Sequence, residues 1–410
     1  MRTMLMGLGF VAVLLCGCGG GGGGAGTISS GSGGSSDDNS VAMVVDTGPS
    51  GATGQLNLPY VTVTVCAPGT STCSTIDHVL VDTGSSGLRV LASALGGTLQ
   101  NALAIESING RQVMECAQFA DGYTWGAVSA ADVKIGGKLA SALPMQVVAD
   151  ASLPYAVPAA CSGSGSNEGN LSGLGAKGIL GVGLDRQDCG SICANVSSNG
   201  FYYLCSGQSC LPGVVPVAQQ VSNPVASFSG DNNGVMLQLP SVDAYGAASV
   251  QGTLTFGIGT QSNNALPAAA KAYPVSSDGY TITTTYKGQT YPSFLDSGSN
   301  LLYFDDGAIT TCTLYGASWY CPALANGQTL NLSAQLSASN GSSSVINFSL
   351  INATVLTTNS YAAFPSIGAP MGSSFGGYFD WGLPFFYGRS VFIGLEGASN
   401  PLGSGAMYIF

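Results

Sequence analysis

Two short words constrain this 410-residue chain more than anything else in it. Val81-Asp82-Thr83-Gly84-Ser85-Ser86-Gly87 and Leu295-Asp296-Ser297-Gly298-Ser299-Asn300 share one frame: an apolar run, Asp, a small hydroxyl residue, Gly, Ser. An extended run delivers the Asp to a tight loop. Glycine lets the backbone fold back, so that its amide approaches the carboxylate. The hydroxyls of Thr83 and Ser297 are placed to lock the two loops together, and those of Ser85 and Ser299 to hydrogen-bond the carboxylates. A third Asp-Thr-Gly, at Asp46-Thr47-Gly48, lacks the frame. Pro49 follows it and it precedes the first strand pair, so it reads as an edge loop.

The surrounding residues read as strand. Tyr60–Cys66 alternates Val61, Val63 and Val65 with Thr62 and Thr64, the pattern of a half-buried strand. With a partner over 75–81 it predicts a hairpin leading into Asp82. Gly252–Gly259 puts Leu254, Phe256 and Ile258 on one face. Tyr280–Tyr286 followed by Lys287-Gly288-Gln289 reads as strand and turn, and Val391–Leu395 as a late strand. Helical periodicity is scarce, which predicts an all-β fold. Hydrophobic residues make up 45% of the chain and charged residues 8%, against about 25% charged in an average globular protein, so a large core is available. Ten Lys and Arg against 21 Asp and Glu exclude the basic surface that nucleic-acid binding needs. A single histidine, His78, excludes a His-rich metal site and is expected to be structural.

With both Asp words in place, the chain resembles the pepsin-like aspartic peptidases, over about residues 58 to 400. Within that family it is similar to a group of bacterial predicted lipoproteins. After the first Asp word, Gly178-Ile179-Leu180-Gly181-Val182-Gly183 resembles the hydrophobic-hydrophobic-Gly element that supports the Asp loop. After the second, Trp381-Gly382 with Leu383-Pro384-Phe385-Phe386 takes the equivalent place at a similar separation, which predicts two related lobes. Phe119-Ala120-Asp121-Gly122-Tyr123-Thr124-Trp125-Gly126 resembles the active-site flap. The resemblance implies a bilobal fold with lobes of double-ψ β-barrel type, residues 43–240 and 241–410, and a cleft between them. It implies Asp82 and Asp296 as the catalytic pair, supported by Thr83, Gly84, Ser85, Ser297, Gly298 and Ser299. Phe119, Asp121, Gly122, Tyr123 and Trp125 are then expected at the flap and substrate cleft. Two close carboxyls cannot both ionise cheaply, so such a pair shares a proton; this family is the standard example. The expected activity is peptide hydrolysis by an activated water, with no cofactor and no metal. The expected partner is a peptide or unfolded protein, and the protein is expected to be a monomer. Two positions depart from the family: Phe119 stands where it usually has Tyr, and Asp380 where the second supporting element is normally apolar.

The N-terminus reads as an address. Arg2 precedes an apolar run ending at Leu15, the pattern of a signal peptide over 1–17. Gly17-Cys18 resembles a bacterial lipobox, with Cys16 as an unusual neighbour, and implies lipidation of Cys18 and an anchor in the outer membrane of a Gram-negative cell. Residues 18–42, rich in Gly and Ser, read as a flexible tether. The ten cysteines beyond it fit an oxidising compartment and up to five disulfides. Cys66–Cys73 and Cys312–Cys321 are close enough in sequence for local bridges. Cys189, Cys193, Cys205 and Cys210 admit the alternative of a four-cysteine zinc site.

Two other functions compete. The same fold can hold a peptide or glycan in its cleft without cutting, which would make this an inert, surface-tethered binding protein. Gly372-Ser373-Ser374-Phe375-Gly376 matches the G-x-S-x-G word of serine hydrolases. It lacks the strand before and the helix after, and His78 precedes it in the chain, against the order of that fold.

Overall fold

The computed structural model describes residues 39–410 apart from 326 and 373–375. The signal peptide, Cys18, most of the tether and the core of the Gly372–Gly376 word lie outside the described residues.

The predicted hairpin forms and brings the first Asp to its loop. Pro59–Cys66 pairs antiparallel with Cys73–Asp82, and the Cys66–Cys73 disulfide closes the connection. Val61, Val63, Val79 and Val81 are buried in the main core, each contributing about 1.5–3 kcal/mol relative to exposure. The chain turns at Asp82 and leaves along Ser86–Leu91. Gly178–Val182 lies between the two arms of this turn. It runs parallel to the incoming strand, with Gly181 opposite Asp82, and antiparallel to the outgoing one, with Leu180 opposite Leu88. A side chain on Gly181 would come within 2.8 Å of the Ser86 backbone, so only glycine permits this close approach.

The second half repeats the construction. Ile282–Tyr286 and Gln289–Leu295 form a hairpin that delivers Asp296, and the chain leaves along Leu302–Tyr303. Phe379–Trp381 lies between the arms, parallel to the first with Trp381 opposite Leu295, and antiparallel to the second. The fillings differ. The first half packs aliphatic side chains, whereas the second stacks Phe304 on Phe379 at 4.9 Å and Phe379 on Trp381 at 4.5 Å.

A further set of strands joins the chain's beginning, middle and end. Gly234–Leu239 pairs with Val250–Phe256 on one side and Arg389–Gly394 on the other. Arg389–Gly394 continues to Met407–Ile409. Ser40–Val45 pairs along its whole length with Val250–Phe256. This corrects one boundary: Ser40, Val41 and Ala42, read as the end of the tether, are strand, because partners across the sheet satisfy their backbone groups.

Asn57 also links the halves. It is fully buried and adopts a positive φ of 51°. Its Nδ2 donates to the carbonyls of Asn300 and Phe364 at 2.9 and 2.8 Å. Its Oδ1 accepts from the Phe364 amide and the Tyr387 hydroxyl.

The fold is all-β, as expected. The longest α-helix among the described residues is Gly97–Ala102, of six residues, and no described helix is long and apolar enough to cross a membrane. The ten cysteines form five disulfides: Cys66–Cys73, Cys116–Cys161, Cys189–Cys193, Cys205–Cys210 and Cys312–Cys321. The four cysteines of the zinc alternative are therefore paired with each other as disulfides. Cysteine use of this kind belongs to exported proteins.

Candidate active site

The two Asp loops meet. Thr83 Oγ1 donates to the Leu295 carbonyl at 2.9 Å and accepts from the Ser297 amide at 2.9 Å. Ser297 Oγ donates to the Val81 carbonyl at 2.7 Å and accepts from the Thr83 amide at 3.1 Å. Each hydroxyl thus satisfies an amide and a carbonyl of the opposite loop, in a setting where an unpaired backbone group would cost about 1–3 kcal/mol.

This lock sets the carboxyls face to face. The Gly84 amide donates to Asp82 Oδ1 and the Gly298 amide to Asp296 Oδ1, both at 2.8 Å. Ser85 Oγ donates to Asp82 Oδ2, and Ser299 Oγ to Asp296 Oδ2. Each carboxyl lies over the glycine of the other loop. A side chain on Gly84 would meet the Asp296 carboxyl at 2.6 Å, and one on Gly298 would meet Asp82 Oδ1 at 2.6 Å. The two carboxyls hydrogen-bond each other. The structure therefore brings together all eight residues expected at the pair and its support.

Both aspartates are 0% exposed, and burial is the main force on their protonation. Burial pushes Asp82 up, while hydrogen bonds from Ser85, Asp296 and the Gly84 amide, together with the charge of Arg89, pull it back. Burial pushes Asp296 up too, and there the nearby charges of Asp82 and Asp380 add to it, leaving its pKa well above the usual carboxylate range. Both carboxyls are raised, and ionising the second beside the first is opposed, so the two titrate as a pair that holds one proton above the usual carboxylate range.

The segment expected to be the flap forms a hairpin, Arg111–Gln118 with Gly122–Ile135, and its aromatic side chains are buried. Phe119 packs with Tyr60, Leu80 and Ile179. Tyr123 and Trp125 pack with Tyr203, Cys116 and Cys161. Each of the three rests against an apolar cluster and is buried there. The tip is tied down as well. Ser166–Asn167 pairs with Gly122–Tyr123, the Ser166 amide donates to the Asp121 carbonyl, and Cys116–Cys161 staples the hairpin below. A side chain on Gly122 would meet the Ser166 carbonyl at 2.4 Å.

Sequence reading missed a buried charge group behind Asp82. Arg89 is fully buried and pairs with Glu115 and, at 3.2 Å, with Asp188. The Tyr202 hydroxyl donates to Asp188 at 2.7 Å. The available signal was an arginine between Leu88 and Val90 in a chain with few cations. His78 is partly exposed beside Asp77 and Asp46, far along the strand from the Asp82 loop.

Comparison with curated proteins finds no match. Among solved structures, the chain is similar to an aspartic proteinase from Irpex lacteus. The identity is 16% and the TM-score 0.49, with 90% of this chain and 96% of that one covered. The family model described as "Protein of unknown function (DUF3443)" matches residues 35–410, and the chain belongs to that family.

Proposed function

We propose that this protein is an exported, lipid-anchored aspartic endopeptidase that cuts peptide or unfolded protein with Asp82 and Asp296. The observation that carries this reading is the pair itself: two buried carboxyls in contact, delivered by loops that mirror one another bond for bond. Ionised Asp82 takes a proton from a water as its oxygen attacks the scissile carbonyl carbon. Asp296 gives its proton to the carbonyl oxygen, forming a tetrahedral diol. The Asp82 proton then passes to the leaving nitrogen, the C–N bond breaks, and a diol hydroxyl returns its proton to Asp296. Because the pair works with one proton, activity is confined to the acid side of the pKa at which the pair loses that proton. The full burial of both aspartates means that turnover requires the site to open, as a lid does. Attachment through Cys18 would hold the enzyme at a membrane, consistent with its disulfides.

A second reading, a binding protein that does not cut, is favoured by the buried Phe119, Tyr123 and Trp125 and by the stapled hairpin. The experiment that separates the two uses full-length protein and denatured casein from pH 3 to 7, with wild type, Asp82→Asn and Asp296→Asn. Acid-favoured cleavage by wild type alone supports the peptidase. No cleavage by wild type at any pH, or equal cleavage by all three, refutes it and leaves the binder.

A further inference from the structure

The mirror between the two Asp loops breaks at one buried residue. In the first half, Ile179 stands two residues before Gly181. In the second half the same place, two residues before Gly382, holds Asp380, which is 3% exposed. Its neighbours are apolar: Phe379 and Trp381 flank it in the strand and both are fully buried. Asp380 lies against Ser299, the residue whose hydroxyl donates to Asp296 Oδ2 at 2.9 Å. Its Oδ1 has no hydrogen-bond partner. The titratable groups that face it are Asp82 and Asp296 on the two loops and Tyr408 on the closing strand.

We propose that Asp380 is a positioning residue that completes a three-carboxyl cluster and holds the proton on Asp296 to higher pH than a pair alone would. The proposal deepens the peptidase reading and rests on it for its kinetic consequence only. Ser299 is the link. One hydroxyl hydrogen cannot serve two carboxylates. With that hydrogen committed to Asp296, Ser299 has none to give an ionised Asp380, whose charge would stand without a donor beside the pair. The pair, in which each carboxyl accepts from a backbone amide and a serine hydroxyl, gives up its first proton before Asp380, which has no such donors. The next proton to leave comes from Asp296 or Asp380, and each deters the other, since a second charge in a buried cluster is opposed by the first. Loss of the Asp380 proton leaves the working pair intact, with one proton on Asp296 and a new negative charge beside it that holds that proton more firmly. An apolar residue at this place, as at Ile179, gives no such reserve. Burial acts in the same direction, keeping Asp380 protonated well above the usual carboxylate range.

The test compares full-length wild type with Asp380→Asn, close in shape, and Asp380→Ile, which copies the first half. Two readouts are taken: kcat/KM on denatured casein against pH, and urea-unfolding stability from pH 4 to 8. Both variants are expected to retain cleavage near pH 4, with the alkaline limb moved down by about one pH unit. Loss of packing alone would lower activity at every pH without moving that limb. For stability, a carboxyl whose folded pKa is raised contributes fully below its unfolded value, about 3.9, and loses that contribution as pH rises through the folded value. Wild type is therefore expected to lose more stability between pH 4 and 8 than either variant. An unmoved alkaline limb, or equal stability profiles in all three proteins, overturns the proposal. If wild type cuts nothing, the peptidase reading fails, and the stability profiles still decide whether Asp380 carries the reserve proton.

Discussion

The two Asp loops are built to one plan and filled with different material. Each has an incoming strand, an Asp, a hydroxyl residue, a glycine and a serine, with a third strand wedged between its arms. The hydrogen bonds from Gly84 and Gly298, and from Ser85 and Ser299, correspond one to one. Behind Asp82, however, lie Ile179 and the charge of Arg89. Behind Asp296 lies a second carboxyl, on a strand flanked by stacked aromatics. The repeat therefore sets the geometry of the pair, and the departures from repeat give its two members different electrostatic surroundings. Arg89 favours the charged form of Asp82, while Asp380 disfavours the charged form of Asp296.

The largest effects should come from the elements that are symmetric. Gly84→Ala and Gly298→Ala each drive a methyl into the opposite carboxyl, and each should lower unfolding free energy by about 3 kcal/mol. Urea denaturation of both measures this, and a large inequality between them would break the mirror. Next comes the lock. Ser297→Ala removes a donor to the Val81 carbonyl and the acceptor of the Thr83 amide, with an expected cost of about 2 kcal/mol by the same assay. A cost near zero would mean that the loops are held apart from their hydroxyls. The smallest effect belongs to the surface. Asp77 is held down to about 2 by its hydrogen bond from Lys177, but its side chain is 55% exposed. A lowered carboxyl contributes stability above its unfolded pKa and loses it as pH falls through the folded value. Solvent screening keeps this small, so Lys177→Ala should cost no more than about 0.5 kcal/mol at pH 7, and less at pH 2.

Much of this architecture was legible in the residues. Val61, Val63 and Val65 alternate strictly, and period two is the signature of a strand with one buried face. The Asp words announce their loops because glycine and small hydroxyls are the residues such loops need. Other features could not be read that way. Period two puts Tyr123 and Trp125 on one face of the hairpin but does not say what covers that face. Tyr203, some 80 residues on, does so. Cys116 and Cys161 are 45 residues apart, too far for spacing to pair them. Asn57 looks like a turn residue in sequence, and only the fold brings Asn300, Phe364 and Tyr387 to its side chain. Asp380 was visible as a polar residue in an apolar place, but its link to the pair runs through Ser299, distant in sequence and adjacent in space.

The central claim is that Asp82 and Asp296 share one proton. A difference titration counts it directly, comparing protons bound by wild type and by the double variant Asp82→Asn/Asp296→Asn between pH 3 and 8. The account predicts that wild type still carries about one extra bound proton at pH 5.5, well above the ordinary aspartate pKa of about 3.9. No excess at that pH would show two independently ionised carboxylates and contradict it.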